Sequence, residues 1–484
     1  KIYKILVPLV VVVSFASCSE DFLEEKPIDN VELPTAITNE KTLKIGVNGL
    51  YQLMQTQNIT LNGATTLQNG FGALIPTLNE LLADDAFVSE SNSNRFVATS
   101  DISLSFYAET NADIASLWNS LYRIVNNANY IISFEGQIVD DTTTGEKPEE
   151  YFAQAHAIRA MAYYQLVTFF CENYGEGNQD VGIPMPLKFD VSQKLPRSTV
   201  SEVYKQIEKD LKDAEVLFTG YNANNKKINK TSVELMLSRY YLAVKDYPNA
   251  QLYAQKVLSN SQFVLLPMSD VATFFESEAG ELNKEIIFQI NYDGKDSPAS
   301  NDGIIATWNS DPITGRYRQN YATVNFYSRF GVNDARKGTW YTDNFTYVIP
   351  DKAQAVDVKK FTTALRDVIV FRKTEAVFNE IEALYHTNQA LALSKLVAWV
   401  STYRDPSYSF SSTGPALLKE ILDQKNLEFF LEGFRRSDLK RNGIGFQNPK
   451  TGVTLDTSKF QFKAFPTPRN EVNTNPNIQQ FPGY

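Results

Sequence analysis

The sequence predicts a mainly α fold, a helical-repeat scaffold of stacked hairpins carrying an irregular, loop-rich and partly β binding region. Three observations lead there. Apolar residues recur at three- and four-residue steps over several long stretches, the period of a helix with one buried face. Two of these stretches read as helix, short turn, helix. Between them the period is lost: over 288–347, 12 of 60 residues are aromatic, about 20% against 12% for the whole chain.

The chain opens KIYKILVPLVVVVSFAS, with Lys1 and Lys4 ahead of an apolar run from Ile5 to Val13. A charged start, a short apolar centre and small residues before a cut form the pattern of a secretory signal peptide, placed here at residues 1–17. A retained anchor would need roughly 20 apolar residues, and Pro8 interrupts this shorter run. FASC resembles the lipobox of bacterial lipoproteins, with Phe15 where an aliphatic residue is usual. A cut after Ser17 makes Cys18 the mature N-terminus, its thiol free to carry a lipid; a cut elsewhere leaves it incidental. The acidic SEDFLEEKP that follows, with Pro27, reads as a solvated tether over residues 18–40. The body then divides into an N-terminal helical region, 41–275, and a C-terminal region, 276–484, that includes the aromatic-rich loops.

The 484 residues, 43% of them hydrophobic, suffice for a large core. A formal charge of -10 argues against a nucleic-acid binder, which needs clustered Lys and Arg. With Cys18 lipidated, only Cys171 remains and no internal disulfide can form. Cys171 ends the apolar YYQLVTFFC and reads as a small buried thiol. The two histidines, His156 and His386, lie in neither HExxH nor GxSxG, so no metal is expected, and His156 reads as a packed or hydrogen-bonded helix residue. There is no phosphate-binding loop or dinucleotide fingerprint, hence no expected cofactor. A pair of carboxylates spaced for glycoside hydrolysis stays open among 56 acids. Asp84 and Asp85 are adjacent, diverge by about 100 degrees on a helix, and read as a solvated face or cap.

The helices justify themselves in turn. DIASLWNSLYRIVNNANYIISF places Ile114, Leu117, Leu121, Ile124, Val125, Ala128 and Ile131 on one stripe, with Trp118 and Tyr122 beside it. EEYFAQAHAIRAMAYYQLVTFFCENYG is expected to run until Gly175 and Gly177 stop it. STVSEVYKQIEKDLKDAEVLF opens on a start signal, Ser198 or Ser201, and continues Val203, Ile207, Leu211, Ala214, Leu217. KTSVELMLSRYYLAVKDYPNAQLYAQKVLSN holds two helices about a turn at KDYPN and resembles the tetratricopeptide repeat, with Tyr247, Ala250, Tyr253, Ala254 and Leu258 at its packing positions. TEAVFNEIEALYHTNQALALSKLVAWVSTYR repeats that grammar, with Ala390 and Val397 in comparable places. Between the pairs, KEIIFQINYD reads as a strand, and the stretch on to Tyr347 is rich in Gly, Asn, Asp, Ser and aromatics, the usual composition of a loop-borne binding surface.

Taken in order, several segments resemble the SusD/RagB family. SCSEDFLEEKP is similar to its lipidated cysteine followed by Phe-Leu and proline, and LWNSLYRIVNNANYII to its Trp-x-x-x-Tyr helix. AIRAMAYYQLVTFFCENYGEGNQDVGIPMPL resembles its Arg-Ala helix with a Tyr-Gly and an Ile-Pro turn. LEFFLEGFRRSDLKRNG and the terminal FPTPRNEVNTNPNIQQFPGY complete the likeness, which spans nearly the whole chain. Gln424, Leu431 and Phe481 depart from the usual residues and read as packing variants. Glu428, Glu432 and Arg435 or Arg436 are expected three or four residues apart on one helix, with Asp438 and Arg441 just beyond, and read as an ion-pair network fixing a helix end rather than as sugar-binding or catalytic groups.

The resemblance implies a non-catalytic lipoprotein at the outer face of the outer membrane. It would capture a nutrient, typically an oligosaccharide, for a SusC-like TonB-dependent transporter. Candidate contacts are Asn92, Arg95 and Phe96 in SESNSNRFVATS, and Trp308, Tyr317, Tyr321 and Trp340 in the second half: aromatic faces to stack on a sugar, polar groups for its hydroxyls. A surface glycoside hydrolase and a protein-binding helical adaptor are the competing expectations.

Overall fold

The computed structural model describes residues 36–484 apart from 56, 62–63, 69, 90–94, 141–146, 176–180, 277–283, 293–302, 310–318, 345–353 and 362–366. Cys18, Asn92, Tyr317, the leader and most of the tether lie outside the described residues.

Helix α1 (Glu40–Gln55) leads into the antiparallel hairpin β1 (Gln57–Leu61) and β2 (Ala64–Gln68), then α2 (Ile75–Leu81), β3 (Ala86–Val88) and the short α3 (Val97–Ser100). Five long helices follow: α4 (Ala112–Ile132), α5 (Pro148–Phe170), α6 (Val200–Leu217), α7 (Lys230–Ala243) and α8 (Tyr247–Ser259). The whole predicted stripe of α4 is buried, and Trp118 packs edge-on against Phe170, 4.9 Å between ring centres. Asn111 caps that helix, its side-chain oxygen accepting from the N–H groups of Asp113 and Ile114.

Two helix ends differ from expectation. The start of α6 is capped by Thr199, whose hydroxyl accepts from the Glu202 N–H at 3.1 Å while the Glu202 carboxylate accepts from the Thr199 N–H at 2.8 Å. The T-x-x-E spacing lets two orphan donors be satisfied reciprocally, which neither Ser198 nor Ser201 achieves. At its far end α5 stops at Phe170, before Gly175, because Lys440 donates to the carbonyls of Thr168 and Cys171, each at 2.6 Å. A cation from another helix thus closes the terminus that a glycine was expected to close. Cys171 itself is fully buried.

The irregular region contributes β4 (Ile286–Ile290), α9 (Ile304–Trp308), β5 (Asn320–Thr323), α10 (Val324–Ser328), β6 (Tyr341–Thr342), β7 (Ala355–Val358) and β8 (Val368–Arg372). β4 pairs with β8, and a four-stranded antiparallel sheet runs β3-β5-β7-β6. Helices α11 (Lys373–Thr387), α12 (Gln389–Tyr403), α13 (Pro415–Phe429) and α14 (Arg435–Arg441) come next, and the chain ends through β9 (Phe446–Gln447), β10 (Thr454–Leu455), α15 (Phe460–Lys463) and α16 (Arg469–Thr474).

Helix α11 packs directly on α7 and α8 and on its own partner α12. The two hairpins recognised in the sequence are therefore neighbours in one stack, and the β-containing region is an insertion between consecutive repeats. In the first hairpin Ala250, Tyr253 and Ala254 are buried, with Tyr247 and Leu258 partly so. In the second the register differs: Ala390 is exposed, and the inward stripe is Ala392, Leu396, Trp399 and Val400. Asn388 caps α12, which fixes the helix start and turns Ala390 outward.

The LEFFLEGFRRSDLKRNG segment is two helices rather than one. α13 ends at Phe429, Leu431 and Gly433 adopt positive φ of 65° and 89°, and α14 begins at Arg435. Such a turn is strain-free only for glycine at the second position. Its charges mostly pair across the fold, with Asp438 and Arg441 the pair formed within the segment. Glu428 receives Arg336, Arg372 and Arg404, and Glu432 receives Lys360 and Arg372. Arg441 bonds Glu382 of α11. Gln424 joins this network by accepting from Arg336.

Candidate ligand-binding face

Strand β3 lies antiparallel to β5, with Phe87 opposite Tyr321 and Val88 opposite Asn320. This pairing joins the two stretches singled out in the sequence, more than two hundred residues apart. The junction is reinforced beyond the strands. The Ser89 N–H donates to the Gln319 carbonyl at 2.7 Å, and the Gln319 side-chain amide donates to the Arg95 carbonyl.

Arg95 grips Asp113 at the start of α4 through two nitrogens, at 3.0 and 2.7 Å, and its guanidinium lies 4.0 Å from the centre of the Phe96 ring. The Arg95 side chain keeps 26% of its surface exposed. Pairing with Asp113 restricts the rotamers of a guanidinium that stays partly exposed, and such restraint lowers the ordering cost of a polar contact.

The four aromatic candidates among the described residues are core side chains. Phe96 opens α3 with φ of 62° and buries its ring. Trp308 is 1% exposed, donates to the Thr77 hydroxyl at 3.3 Å and meets Phe430 edge-on. Trp340 is as buried, donates to the Val271 carbonyl at 2.6 Å and packs against Phe275. Tyr321, 1% exposed, lies opposite Phe87 across the β3–β5 pair, 6.0 Å between ring centres. The large apolar area of these rings is removed from water by protein, so no open face remains for a sugar to stack on.

One group the sequence did not single out is Asn320. It is 1% exposed, and neither its amide nitrogen nor its carbonyl oxygen has a hydrogen-bond partner among the described residues; the Gln319 side-chain oxygen beside it is also unbonded. Buried polar groups are normally satisfied, and an orphan of this kind costs roughly 1–3 kcal/mol. The sequence signal was faint: a polar pair, Gln319–Asn320, opening a strand whose next residues are buried.

The adjacent acids Asp84 and Asp85 act as a clasp rather than a solvated face. Both Asp84 oxygens accept from Arg435, at 2.7 and 2.5 Å, while Asp85 is buried against Arg329 and Asn426. Burial pushes the Asp85 carboxyl up to about 6, with the Asp84 charge adding to it. Burial opposes the Asp84 charge too, but Arg435 outweighs it and holds that carboxyl below its ordinary value. These contacts hold α13, through Asn426, and α14, through Arg435, against the β3 segment. Among the described residues no helix is long and apolar enough to cross a membrane.

Comparison with known proteins agrees with this architecture. Residues 21–242 match a family described as starch-binding and associating with the outer membrane, and residues 161–484 match the SusD family. Over 124 residues the chain is 28% identical to the starch-binding protein SusD of Bacteroides thetaiotaomicron, a match that covers 24% of this chain and 22% of that protein's length. The fold is shared with a SusD superfamily protein from Bacteroides vulgatus, with TM-score 0.78 at 21% identity and coverage of 93% and 100% of the two chains. A SusD-like carbohydrate-binding protein from the same organism gives 0.74 at 19% identity, covering 91% and 98%. The surface glycan-binding protein A of Bacteroides fluxus gives 0.69 at 18%, covering 93% and 100%. With the SusD model matched over the larger part of its length, the chain belongs to the SusD family.

Proposed function

We propose that this protein captures a nutrient glycan at the outer face of the outer membrane and passes it to a SusC-like TonB-dependent transporter, without chemistry of its own. The observation that carries the reading is the β3–β5 junction, where the Arg95 side chain, paired with Asp113, keeps 26% of its surface exposed. A carbohydrate presents hydroxyls that accept from a guanidinium of this kind. Family membership supports the class of ligand, since relatives of this fold are named for binding starch, carbohydrate or surface glycans. In this reading Cys18 carries the lipid, residues 18–40 are the tether, and the buried aromatics brace the face from below.

The direct test is calorimetry of the purified chain against oligosaccharides, beginning with maltooligosaccharides. Arg95→Ala is expected to weaken binding by roughly tenfold, a loss of about 1.4 kcal/mol, while Asn320→Ala, at a fully buried amide, should leave affinity unchanged and hold or raise thermal stability because an unsatisfied amide is removed. Unchanged affinity in Arg95→Ala would sink the site. Release of reducing sugar would instead establish a hydrolase, and tight transporter binding with no glycan binding an adaptor. Cys18→Ser should release the protein from membranes, read by fractionation; retention at the membrane counts against the lipid anchor.

A further inference from the structure

A second cluster lies away from that face, where the end of α4 and the helices α5 and α6 enclose an open groove of about 590 Å³ lined by Glu135, His156, Arg159, Lys209 and Asp213. At its floor, donor atoms of His156, Asp210 and Asp213 lie within 4.8 Å of one another. We infer that these three side chains form a site for a borderline divalent cation of the zinc type, with water from the groove completing the shell.

Geometry carries the inference. His156 Nδ1 stands 3.4 Å from Asp210 Oδ1, long for a hydrogen bond between such groups. Two ligands on one tetrahedral zinc, each about 2.0–2.1 Å from it, are separated by about 3.4 Å. The other ring nitrogen, Nε2, is 2.9 Å from Glu135 Oε2. A metal-bound imidazole characteristically directs its second N–H at a carboxylate, which fixes ring and tautomer.

Asp210 is held by a fork from Arg159, Nε to Oδ2 at 2.8 Å and Nη2 to Oδ1 at 2.5 Å, and Gln206, which lines the groove, donates to Oδ1 at 2.8 Å; a bound ion takes the place of that Gln206 amide on Oδ1. Asp213 is the ligand from the solvent side, now paired with Lys209 one helical turn away at 2.5 Å. That lysine is 64% exposed and can swing into water.

Charge also balances. Asp210 and Asp213 neutralise a doubly charged ion bound to a neutral imidazole, and Glu135 offsets Arg159. The single nitrogen in the set selects zinc, cobalt or nickel over calcium, which takes oxygen ligands. The site would tie α6 to α5 and, through Glu135, to the end of α4.

The experiment titrates ZnCl₂ into the untagged, chelator-treated full chain by calorimetry, with Co²⁺ absorption as a second readout. One ion per chain is expected, with a rise in melting temperature and a Co²⁺ spectrum of low coordination number. Asp213→Asn changes a partly exposed residue and should weaken binding roughly tenfold or more. Lys209→Met, which frees Asp213, should tighten it. His386→Gln should leave it unchanged. Absence of binding, full binding by Asp213→Asn, loss of binding in His386→Gln, or a preference for Ca²⁺ would each overturn the site.

Discussion

Glu80 is a carboxylate placed where a carboxylate is costly. It is 1% exposed, one oxygen accepts from the Leu431 N–H at 3.0 Å and the other is unbonded among the described residues. Burial pushes its pKa from 4.5 up to about 8, against the pull of that N–H. Between those values the folded chain holds a proton that the unfolded chain has released, so stability falls as pH rises through the window and the loss is complete above it. Glu80→Gln is therefore expected to raise the melting temperature at pH 9 and to change it little at pH 5; an equal shift at both would mean that ionisation is not the cause. Trp308 and Trp340 make the complementary case. Each fills core volume and satisfies its indole N–H, so alanine at either should cost roughly 3–5 kcal/mol in urea unfolding. Lost glycan affinity without lost stability would return them to the binding face.

Among the elements, the ends of the helices carry more information than their middles. The box formed by Thr199 and Glu202 closes α6 locally, and Thr199→Ala should destabilise by about 1 kcal/mol, measured by denaturation. The end of α5 is different in kind, since its last carbonyls are met by Lys440, some 270 residues later in the chain. Lys440→Met should leave two buried carbonyls without their cation and cost more than the loss of the local cap. Increased amide exchange confined to the last turn of α5 and to α14 would report it.

At the scale of the whole molecule, the α13–α14 segment ties together parts remote in sequence. Glu428 alone gathers three guanidiniums, from the loop before β6, from β8 and from the end of α12, and all four side chains are fully buried. Glu428→Ala removes the shared counter-charge and should cost at least the roughly 3–5 kcal/mol of a broken buried pair, with cooperative unfolding at lower urea as the readout. The same segment reaches the N-terminal half through Arg435 and Asp84, so the insertion, the repeats and the β3 strand are held as one body.

Much of this was legible from residue order. The periods of α4 to α8 and of α11 and α12, the hairpin turns and the strand at Ile286–Ile290 follow from local residue pattern, because a helix or strand face is a local property. So is the segment order that marks the family. The register of α12 and the true cap of α6 were also written locally, in Asn388 and in T-x-x-E, though weaker readings competed with them. What residue order left open was the side of the protein on which each aromatic falls. Trp308, Trp340 and Tyr321 have the chemistry of a sugar platform and of a core equally, and their burial is set by contacts with Phe430, Phe275 and Phe87 from distant segments. Likewise the meeting of Arg95 with β5, the unbonded Asn320 and the gathering of His156, Asp210 and Asp213 come into being when strands and helices far apart in sequence pack. Sequence determined the elements, since their energetics lie within a few turns of chain; tertiary structure decided which polar groups were paired and which left open, since a buried group's partner is chosen by the whole fold.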